Sequence, residues 1–197
     1  IVDDCSTDGT NEIIEKIKEQ NHKNIKFFRH TENLGKGAAI RTALNAIYSD
    51  IVLIQDADLE YNPKDFKKLL TPILENKADV VYGSRFLGGG PSRVHLFWNY
   101  TANRLLTLLA NILTNMNFSD VETGYKVFKT PVIKSIDLEE NSFGFEPEIT
   151  VKLSKKKLVF YEVPVSYYGR TYLEGKKIRL KDAFIAAYCL IKYFIFA

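Results

Sequence analysis

Cysteine and long apolar runs are both scarce in this chain of 197 residues. Its two cysteines, Cys5 and Cys189, lie near opposite ends of the sequence. They do not make a disulfide framework, and two cysteines alone cannot form a structural zinc site. We therefore expect a reducing compartment, the cytoplasm. Because no run of about 20 apolar residues occurs, the sequence contains no complete transmembrane helix.

The overall composition is that of an ordinary globular domain, with 46% hydrophobic and 26% charged residues. This composition excludes a disordered tail and a low-complexity array. The net charge of +3 is unevenly distributed, since residues 151–181 carry nine basic and two acidic side chains, a net +7 that leaves −4 for the rest. This basic segment indicates a partner with phosphate groups or an anionic membrane surface. A solvated basic face without a partner is the alternative.

Strand and helix patterns alternate along the chain. Short apolar runs predict strands at 25–29, 50–55, 79–83 and 158–163, and periodic segments predict helices at 10–20, 37–48, 62–76, 95–115 and 146–155. This alternation predicts an α/β sandwich with a mostly parallel central sheet. Ile1-Val2 stands directly before two acids and resembles the end of a buried strand, so we expect a preceding strand and helix to be missing.

Two apolar segments, at 95–115 and 183–197, need separate treatment. The helix at 95–115 is predicted to bury a stripe of four side chains and to use Trp98 for packing; the stripe is Leu105, Leu108, Leu109 and Ile112. Residues 183–197 are apolar apart from Lys192 and too short for a bilayer span. They predict a docked core helix, an interfacial helix or the beginning of a membrane segment. We accordingly expect one domain over 1–182 and a separate apolar helix over 183–197.

Acidic residues follow two of the apolar strands, at Asp3-Asp4 and at 56–60. In open α/β sheets, ligands bind outside the carboxyl ends of the strands. Asp56 and Asp58 are two positions apart, so in an extended segment their carboxylates point the same way and can share one hard cation. Mg²⁺ or Mn²⁺ bound by so few carboxylates completes its shell with substrate phosphates. This pattern therefore predicts a divalent cation beside a nucleotide diphosphate.

Two other motifs, a calcium-binding loop and a dinucleotide fingerprint, match the sequence less well than the divalent-cation site does. The spacing from Asp4 to Glu15 formally matches a calcium-binding EF-hand loop, but too few residues precede Asp4 for an entering helix. Gly35-Lys36-Gly37 resembles part of a dinucleotide fingerprint without its third glycine. We interpret that segment as a glycine loop that begins a helix, with a contribution to phosphate binding as the alternative.

The ordered set of motifs resembles family 2 glycosyltransferases of the GT-A fold, especially relatives of dolichol-phosphate mannose synthase that act on polyprenyl phosphates. The resemblance covers essentially the whole chain. It is carried by Asp3-Asp4-Cys5-Ser6-Thr7-Asp8-Gly9-Thr10, His30 with Asn33-Leu34-Gly35-Lys36-Gly37, Asp56-Ala57-Asp58, Gly83-Ser84-Arg85, Asp120-Val121-Glu122-Thr123-Gly124-Tyr125-Lys126, Phe143-Gly144-Phe145-Glu146 and Tyr167-Tyr168-Gly169-Arg170-Thr171-Tyr172. Full-length relatives have a strand and a helix before the first motif, which agrees with the expected truncation.

The resemblance implies a role for each matching residue. The donor nucleotide and its diphosphate would be bound by Asp4, Ser6, Asp8, Gly35, Lys36, Asp56, Arg170, Lys176 and Lys177. Asp56, Asp58 and Glu60 would ligate Mg²⁺ or Mn²⁺, although relatives often have Gln at the position of Glu60. The catalytic set would be Asp58, Arg85, Asp120 and Glu122, with Arg85 on a phosphate and the 120–126 segment lining the acceptor pocket.

The implied activity is that of a metal-dependent, inverting hexosyltransferase of cell-envelope biogenesis, peripheral to the cytoplasmic face of the membrane. It would transfer a sugar from a nucleotide diphosphate-sugar to a polyprenyl phosphate. A hydroxyl acceptor of a glycan is an alternative, and it requires a general base such as Asp120 or Glu122. A non-catalytic module that binds nucleotide-sugars or lipid phosphates is the second alternative. Nucleic acid is not an expected partner, because no recognition motif accompanies the basic segment.

Overall fold

The computed structural model describes residues 1–88, 93–94, 96–170 and 180–197. In chain order, the helices and strands are β1 (Val2–Asp3), α1 (Thr10–Glu19), β2 (Phe28–Arg29), α2 (Lys36–Asn45), β3 (Ile51–Leu53), α3 (Phe66–Leu74), β4 (Val80–Ser84), α4 (Phe97–Thr114), β5 (Lys126–Lys129), α5 (Thr130–Ile133), α6 (Phe145–Ser154), β6 (Phe160–Pro164) and α7 (Leu180–Phe196). The helices predicted from periodicity are present within a few residues of their expected bounds. The helix predicted at 62–76 begins as a 3-10 turn, Pro63–Asp65, capped by the Asn62 side chain.

The chain forms two compact units. The first comprises Ile1–Tyr48 and Leu138–Phe145. In it β1 pairs in parallel with β2, and Val2 lies opposite Phe28. The segment around Asn141 packs so closely on α2 that a Cβ at Gly37 would lie 2.1 Å from the carbonyl oxygen of Glu140. Only glycine fits this approach. The expected division into 1–182 and 183–197 is not tested and stays a prediction.

The second unit, Ser49–Asp137 and Glu146–Ala197, contains a four-stranded sheet in the order β3-β5-β4-β6. β6 runs parallel to β4, and β5 runs antiparallel to both β3 and β4. Three of the four strands therefore share one direction, which confirms the predicted α/β architecture. β4 is buried along its whole length, as an apolar run between two neighbours must be. A core that includes Leu69, Val81 and Val127 packs beside the sheet.

The predicted buried stripe of α4 is wrong. Leu105, Leu108 and Ile112 are 61%, 55% and 69% exposed, and α4 instead buries Leu106, Thr107 and Ala110. Apolar residues surround most of this helix, so periodicity alone cannot select the packed face. Contact with α7 and other neighbouring elements selects the face that is buried. Trp98, expected to pack, is 74% exposed and contacts the ring of Phe97.

α7 packs against α4 and buries one of its own faces, with Ala186, Cys189, Leu190 and Tyr193 inside. Several of its other apolar side chains, including Phe184 and Tyr188, are exposed. Of the helices in the described residues, none combines the length and the apolar character needed to cross a membrane.

Candidate active site

The acidic loop after β3 is shaped by its backbone. Leu59 has a left-handed conformation with φ of 61° and is exposed, while Asp58 and Glu60 on either side of it are partly buried. A non-glycine residue with positive φ is uncommon and often marks a functional loop. Within the loop, Oδ1 of Asp58 accepts a hydrogen bond from the backbone N–H of Glu60 at 3.1 Å.

One guanidinium group bridges the two carboxylates of this loop. Arg170 donates through Nη2 to Oδ2 of Asp58 at 3.1 Å and through Nε to Oε1 of Glu60 at 2.9 Å. The backbone N–H of Arg170 also donates to Glu60, and the hydroxyl of Tyr167 donates to its other oxygen at 2.8 Å. Asp58 and Glu60 are thus already arranged around a positive charge.

The two carboxylates respond differently to this environment. Burial and the nearby charges of Glu60 and Asp56 raise the pKa of Asp58, despite its hydrogen bond from Glu60 and the proximity of Arg170. Burial opposes ionisation of Glu60 as well, but hydrogen bonds from Arg170 and Tyr167 lower its pKa. Burial and neighbouring acids thus make Asp58 harder to ionise, whereas Arg170 and Tyr167 make Glu60 easier to ionise.

Asp56 lies against the backbone of the 120–126 segment. A Cβ at position 124 would be 2.6 Å from Oδ2 of Asp56 and 3.0 Å from the ring of Tyr61, so a larger residue there would displace the Asp56 side chain. The N–H of Gly124 donates to the hydroxyl of Tyr61 at 2.8 Å. This close approach brings two of the motifs noted in the sequence, Asp56-Ala57-Asp58 and Thr123-Gly124-Tyr125, into direct contact.

The three predicted metal ligands are not gathered into a ready site. Within the described ranges, no group of three or more His, Cys, Asp or Glu side chains is positioned to hold a metal ion. Asp58 and Glu60 instead bind the guanidinium of Arg170. Their oxygen donors are nevertheless the kind that Mg²⁺ and Mn²⁺ prefer, and they already bind a cation. The donor set fits such an ion, and the ligand roles of Asp56, Asp58 and Glu60 stay predictions.

Arg85 and Asp120 form a buried ion pair at the carboxyl end of β4. Nε and Nη2 of Arg85 donate to the two oxygens of Asp120, both at 2.7 Å, and the backbone N–H of Arg85 donates to the same carboxylate. The side chains are 9% and 0% exposed. Burial would lower the pKa of Arg85, but the charge of Asp120 raises it, so the arginine stays charged. Its guanidinium lies 5.2 Å from the ring centre of Tyr167.

Glu162 on β6 is a site residue that the sequence reasoning missed. Its carboxylate accepts hydrogen bonds from the backbone N–H groups of Ser119 and Asp120 at 2.8 to 3.2 Å. Burial raises the pKa of Glu162. In the sequence this residue was only one of two acids in a basic segment, and no local signal connects it to residues about forty positions earlier.

Glu122 lies in a buried polar cluster of the same unit. Its Oε1 is buried, and no described residue forms a hydrogen bond with it. Burial and the charge of Glu146 raise the pKa of Glu122, even though Lys126 and Arg85 act in the opposite direction. Lys126 is itself buried and donates to the carbonyl oxygens of Val121 and Thr123. Glu122 therefore retains its proton at a higher pH than an ordinary glutamate does.

Asp4, in the first unit, occupies a different kind of site. Its Oδ1 lies 2.7 Å from Nδ1 of His30 and accepts from the N–H of Leu34, while Oδ2 accepts from the N–H of Gly35 at 2.7 Å. The second ring nitrogen of His30 lies 2.8 Å from the hydroxyl of Thr42. Burial opposes ionisation of Asp4, but the hydrogen bonds from His30, Leu34 and Gly35 lower its pKa.

The other predicted donor-binding residues lie around this loop or outside the described chain. The N–H of Ser6 donates to Asp3, and Asp8 accepts from Thr10 at the start of α1. Gly35 has a φ of 97° just before α2, which begins at Lys36. Glu15, the last position of the calcium-loop match, pairs with Lys18. Lys176 and Lys177 lie outside the described residues.

Comparison with known proteins agrees with this set of motifs. A family model described as glycosyl transferase family 2 matches residues 1–136. The chain is 30% identical over 171 residues to the glycosyltransferase AglJ of Haloferax volcanii, covering 86% of this chain and 54% of AglJ. It is 27% identical to the undecaprenyl-phosphate mannosyltransferase of Micrococcus luteus, covering 89% of this chain and 74% of that protein. The chain thus spans about half the length of AglJ.

Solved structures share the fold. Glucosyl-3-phosphoglycerate synthase of Mycobacterium tuberculosis, solved with Mn²⁺, UDP-glucose and phosphoglyceric acid, superposes with a TM-score of 0.68 at 18% identity, covering 100% of this chain and 68% of the other. Mannosyl-3-phosphoglycerate synthase of Rubrobacter xylanophilus gives a TM-score of 0.65 at 21% identity, covering 98% and 60%. Both neighbours are GT-A glycosyltransferases. With most of its length matched by the family model, this chain belongs to glycosyltransferase family 2.

Proposed function

We propose that this chain is the catalytic domain of an inverting, metal-dependent glycosyltransferase that transfers a hexose from a nucleotide diphosphate-sugar to a polyprenyl phosphate. The observation that carries the proposal is the carboxylate pair of Asp58 and Glu60 arranged around a positive charge. The mannosyltransferase of Micrococcus luteus supports the lipid acceptor, and the Mn²⁺ and UDP-glucose complexes of the mycobacterial synthase support the donor and the metal.

Asp58 is the proposed principal metal ligand, with Glu60 and Asp56 as auxiliary ligands. A bound Mg²⁺ or Mn²⁺ supplies Lewis-acid stabilisation of the departing diphosphate. Arg170 contacts one oxygen of Asp58 and one of Glu60, so it would compete with an ion that they hold. Its guanidinium, released beside the loop, is suited to bind the diphosphate of the donor. Arg170 thus has two positions in the proposed cycle, one on the carboxylates and one on the substrate.

The geometry of Asp120 favours a phosphate acceptor. A hydroxyl acceptor needs a base to remove its proton, whereas a lipid phosphate is already anionic and attacks the anomeric carbon directly. Both oxygens of Asp120 bind Arg85, and its side chain has no exposed surface. We therefore assign Asp120 the role of holding the buried Arg85 in place instead of that of a general base. A lipid acceptor would require the enzyme to work at a membrane surface, and the cytoplasmic face stays the expected one.

Asp58→Asn is the direct test. The assay measures sugar transfer from nucleotide sugars to a polyprenyl phosphate with Mn²⁺, and the variant should reduce transfer by roughly 100-fold or more because it removes the main metal ligand. Asp50→Asn is the matched control, since Asp50 is exposed in a loop before β3. Full Mn²⁺-dependent activity of Asp58→Asn would refute the assignment. Mn²⁺-dependent binding of a nucleotide diphosphate without any turnover would favour the binding-module alternative.

A further inference from the structure

Glu60 has two side-chain partners of different kinds, and each binds a different oxygen of its carboxylate. Arg170 donates to Oε1, whereas the hydroxyl of Tyr167 donates to Oε2 at 2.8 Å. The side chain of Arg170 is 34% exposed, and Tyr167 is 8% exposed. A partly exposed arginine can rotate away from its partner, whereas a ring in a close-packed interior stays where it is. One oxygen of Glu60 thus has an exchangeable side-chain partner, and the other oxygen has a fixed one.

The backbone of Tyr167 is tied to the acidic loop and to the turn that follows the loop. Tyr167 forms an isolated antiparallel bridge with Tyr61. The N–H of Tyr168 donates to the carbonyl oxygen of Glu60 at 2.8 Å. The N–H of the residue before Tyr167 donates to the carboxylate of Asp65 at 2.7 Å. These bonds on both sides of Tyr167 fix its backbone relative to Glu60.

The ring of Tyr167 is enclosed by two neighbouring side chains and a glycine. Its centre lies 5.1 Å from the ring centre of Tyr61 and 5.2 Å from the guanidinium of Arg85. Arg85 is itself held by the buried carboxylate of Asp120. A Cβ at Gly169 would lie 2.7 Å from the ring and 3.3 Å from its hydroxyl oxygen, so a larger residue would displace the ring. The position of the hydroxyl is therefore set by its packed neighbours.

A hydroxyl in this position can orient a carboxylate that binds a metal ion. A tyrosine hydroxyl ordinarily titrates at about pH 10, so it keeps its proton and donates at neutral pH. Partners of this kind orient the carboxylates that ligate metal ions, and their loss weakens metal binding. The bond from Tyr167 to Oε2 does not depend on Arg170, because the side chain of Arg170 binds Oε1.

We infer that Tyr167 is a positioning residue of the acidic loop, whose hydroxyl holds Glu60 in place while the side chain of Arg170 exchanges with a divalent cation. The inference rests on the proposed function, because it concerns the same carboxylate pair. Tyr167 acts through Glu60 and does not touch the reacting atoms. The buried pair of Arg85 and Asp120 supports this role, since the guanidinium packs on the ring that carries the donor.

Tyr167→Phe tests the inference, because it removes the hydroxyl and keeps the ring. Titration calorimetry with Mn²⁺ alone should show about tenfold weaker binding in this variant. Tyr82→Phe is the matched control, since Tyr82 is also buried and its hydroxyl lies 3.0 Å from that of Thr150 on α6. Both variants should lower the midpoint of urea denaturation, because each loses a hydrogen bond. Tyr82→Phe should leave the affinity for Mn²⁺ unchanged.

A double variant distinguishes positioning from packing. Arg170→Met removes the side-chain donor on Oε1 and leaves Tyr167 as the side chain that orients Glu60. Tyr167→Phe should therefore weaken Mn²⁺ binding by a further factor of about three in the Arg170→Met background, compared with its effect in the wild type. A purely structural role predicts the same factor in both backgrounds, so equal factors would contradict the inference.

The outcomes separate this inference from the proposed function. Equal Mn²⁺ affinity in the wild type and Tyr167→Phe, with sugar transfer still lost in Asp58→Asn, would overturn the inference and leave the function standing. Weaker Mn²⁺ binding in Tyr167→Phe, with a wild type that binds Mn²⁺ but transfers no sugar, would support the positioning role and refute the proposed transfer. A wild type that does not bind Mn²⁺ would refute the positioning role and the proposed metal dependence together.

Discussion

Asp4 in the first unit and Asp58 in the second follow apolar strands in the same way, yet their carboxylates are satisfied differently. Asp4 accepts from two backbone N–H groups and contacts His30, so its partners are fixed by the fold. Asp58, together with Glu60, binds the side chain of Arg170, which is about one-third exposed. A backbone partner cannot leave without unfolding the loop, whereas an arginine side chain can rotate away. The hydrogen-bond partners of Asp4 are therefore fixed by the fold, whereas the partner of Asp58 can be exchanged for another cation.

Asp120 extends the comparison to a third arrangement, a charge pair that is fully buried. Asp120→Ala should lower the free energy of unfolding by about 3–5 kcal/mol, because it leaves the buried Arg85 uncompensated. Urea denaturation measures the effect, with Asp50→Ala as the exposed control. Replacing Arg85 as well, as Arg85→Met with Asp120→Ala, should recover part of the loss. A loss below about 1 kcal/mol in the single variant would contradict the buried-pair interpretation.

Asp4→Ala should have the next largest effect, about 1–3 kcal/mol, because it leaves two backbone donors and His30 without their acceptor. The pKa of Asp4 is lowered in the folded protein, so its contribution is present above the ordinary aspartate pKa and is lost as pH falls through the folded value. The difference between wild type and variant should therefore shrink in acid. Thermal denaturation across acidic pH checks this, and a difference that does not change with pH would contradict it.

Arg170→Met should change stability by less than about 1 kcal/mol, because the ion pairs are partly exposed. Its effect should appear in metal binding, where removal of the competing guanidinium raises the affinity for Mn²⁺ several-fold. Isothermal titration with Mn²⁺ alone measures this without any turnover. Lys67→Met removes one exposed positive charge away from the loop and serves as the control. Equal Mn²⁺ affinity in the wild type, Arg170→Met and Lys67→Met would show that Arg170 and the ion do not compete.

Glu122→Gln should have an effect on stability that depends on pH, small in acid and larger in mildly alkaline solution. The raised pKa of Glu122 means that the folded protein holds a proton that the unfolded chain releases at the ordinary glutamate pKa. The stability that Glu122 confers therefore falls as pH rises from the ordinary glutamate pKa to the raised pKa of the folded protein. Glutamine does not titrate, so it removes this pH dependence. The variant should gain stability relative to wild type as the solution becomes mildly alkaline. Chemical denaturation at acidic and alkaline pH gives the comparison, and a gain in acid would contradict it.

Much of the fold could be predicted because it depends on local pattern. The run Ile51-Val52-Leu53-Ile54 predicted a strand, and β3 occupies Ile51–Leu53. Asn62-Pro63 predicted the start of a helix, and the Asn62 side chain caps it. The face of α4 could not be predicted, because apolar residues line most of its circumference. Only contact with neighbouring elements selects Leu106, Thr107 and Ala110 for burial.

Residue identity and short-range spacing were enough to predict the family, the acids at 56–60 and most of the strands and helices. They did not predict β5 and α5, although β5 lies between β3 and β4 in the sheet. Tertiary structure alone decided which partner each acid has. Arg170 reaches Asp58 and Glu60, and Glu162 reaches the backbone at Ser119 and Asp120, across gaps of many residues. Such pairings depend on strand order and on burial, which desolvates each charge and makes its partner necessary. No local pattern encodes them.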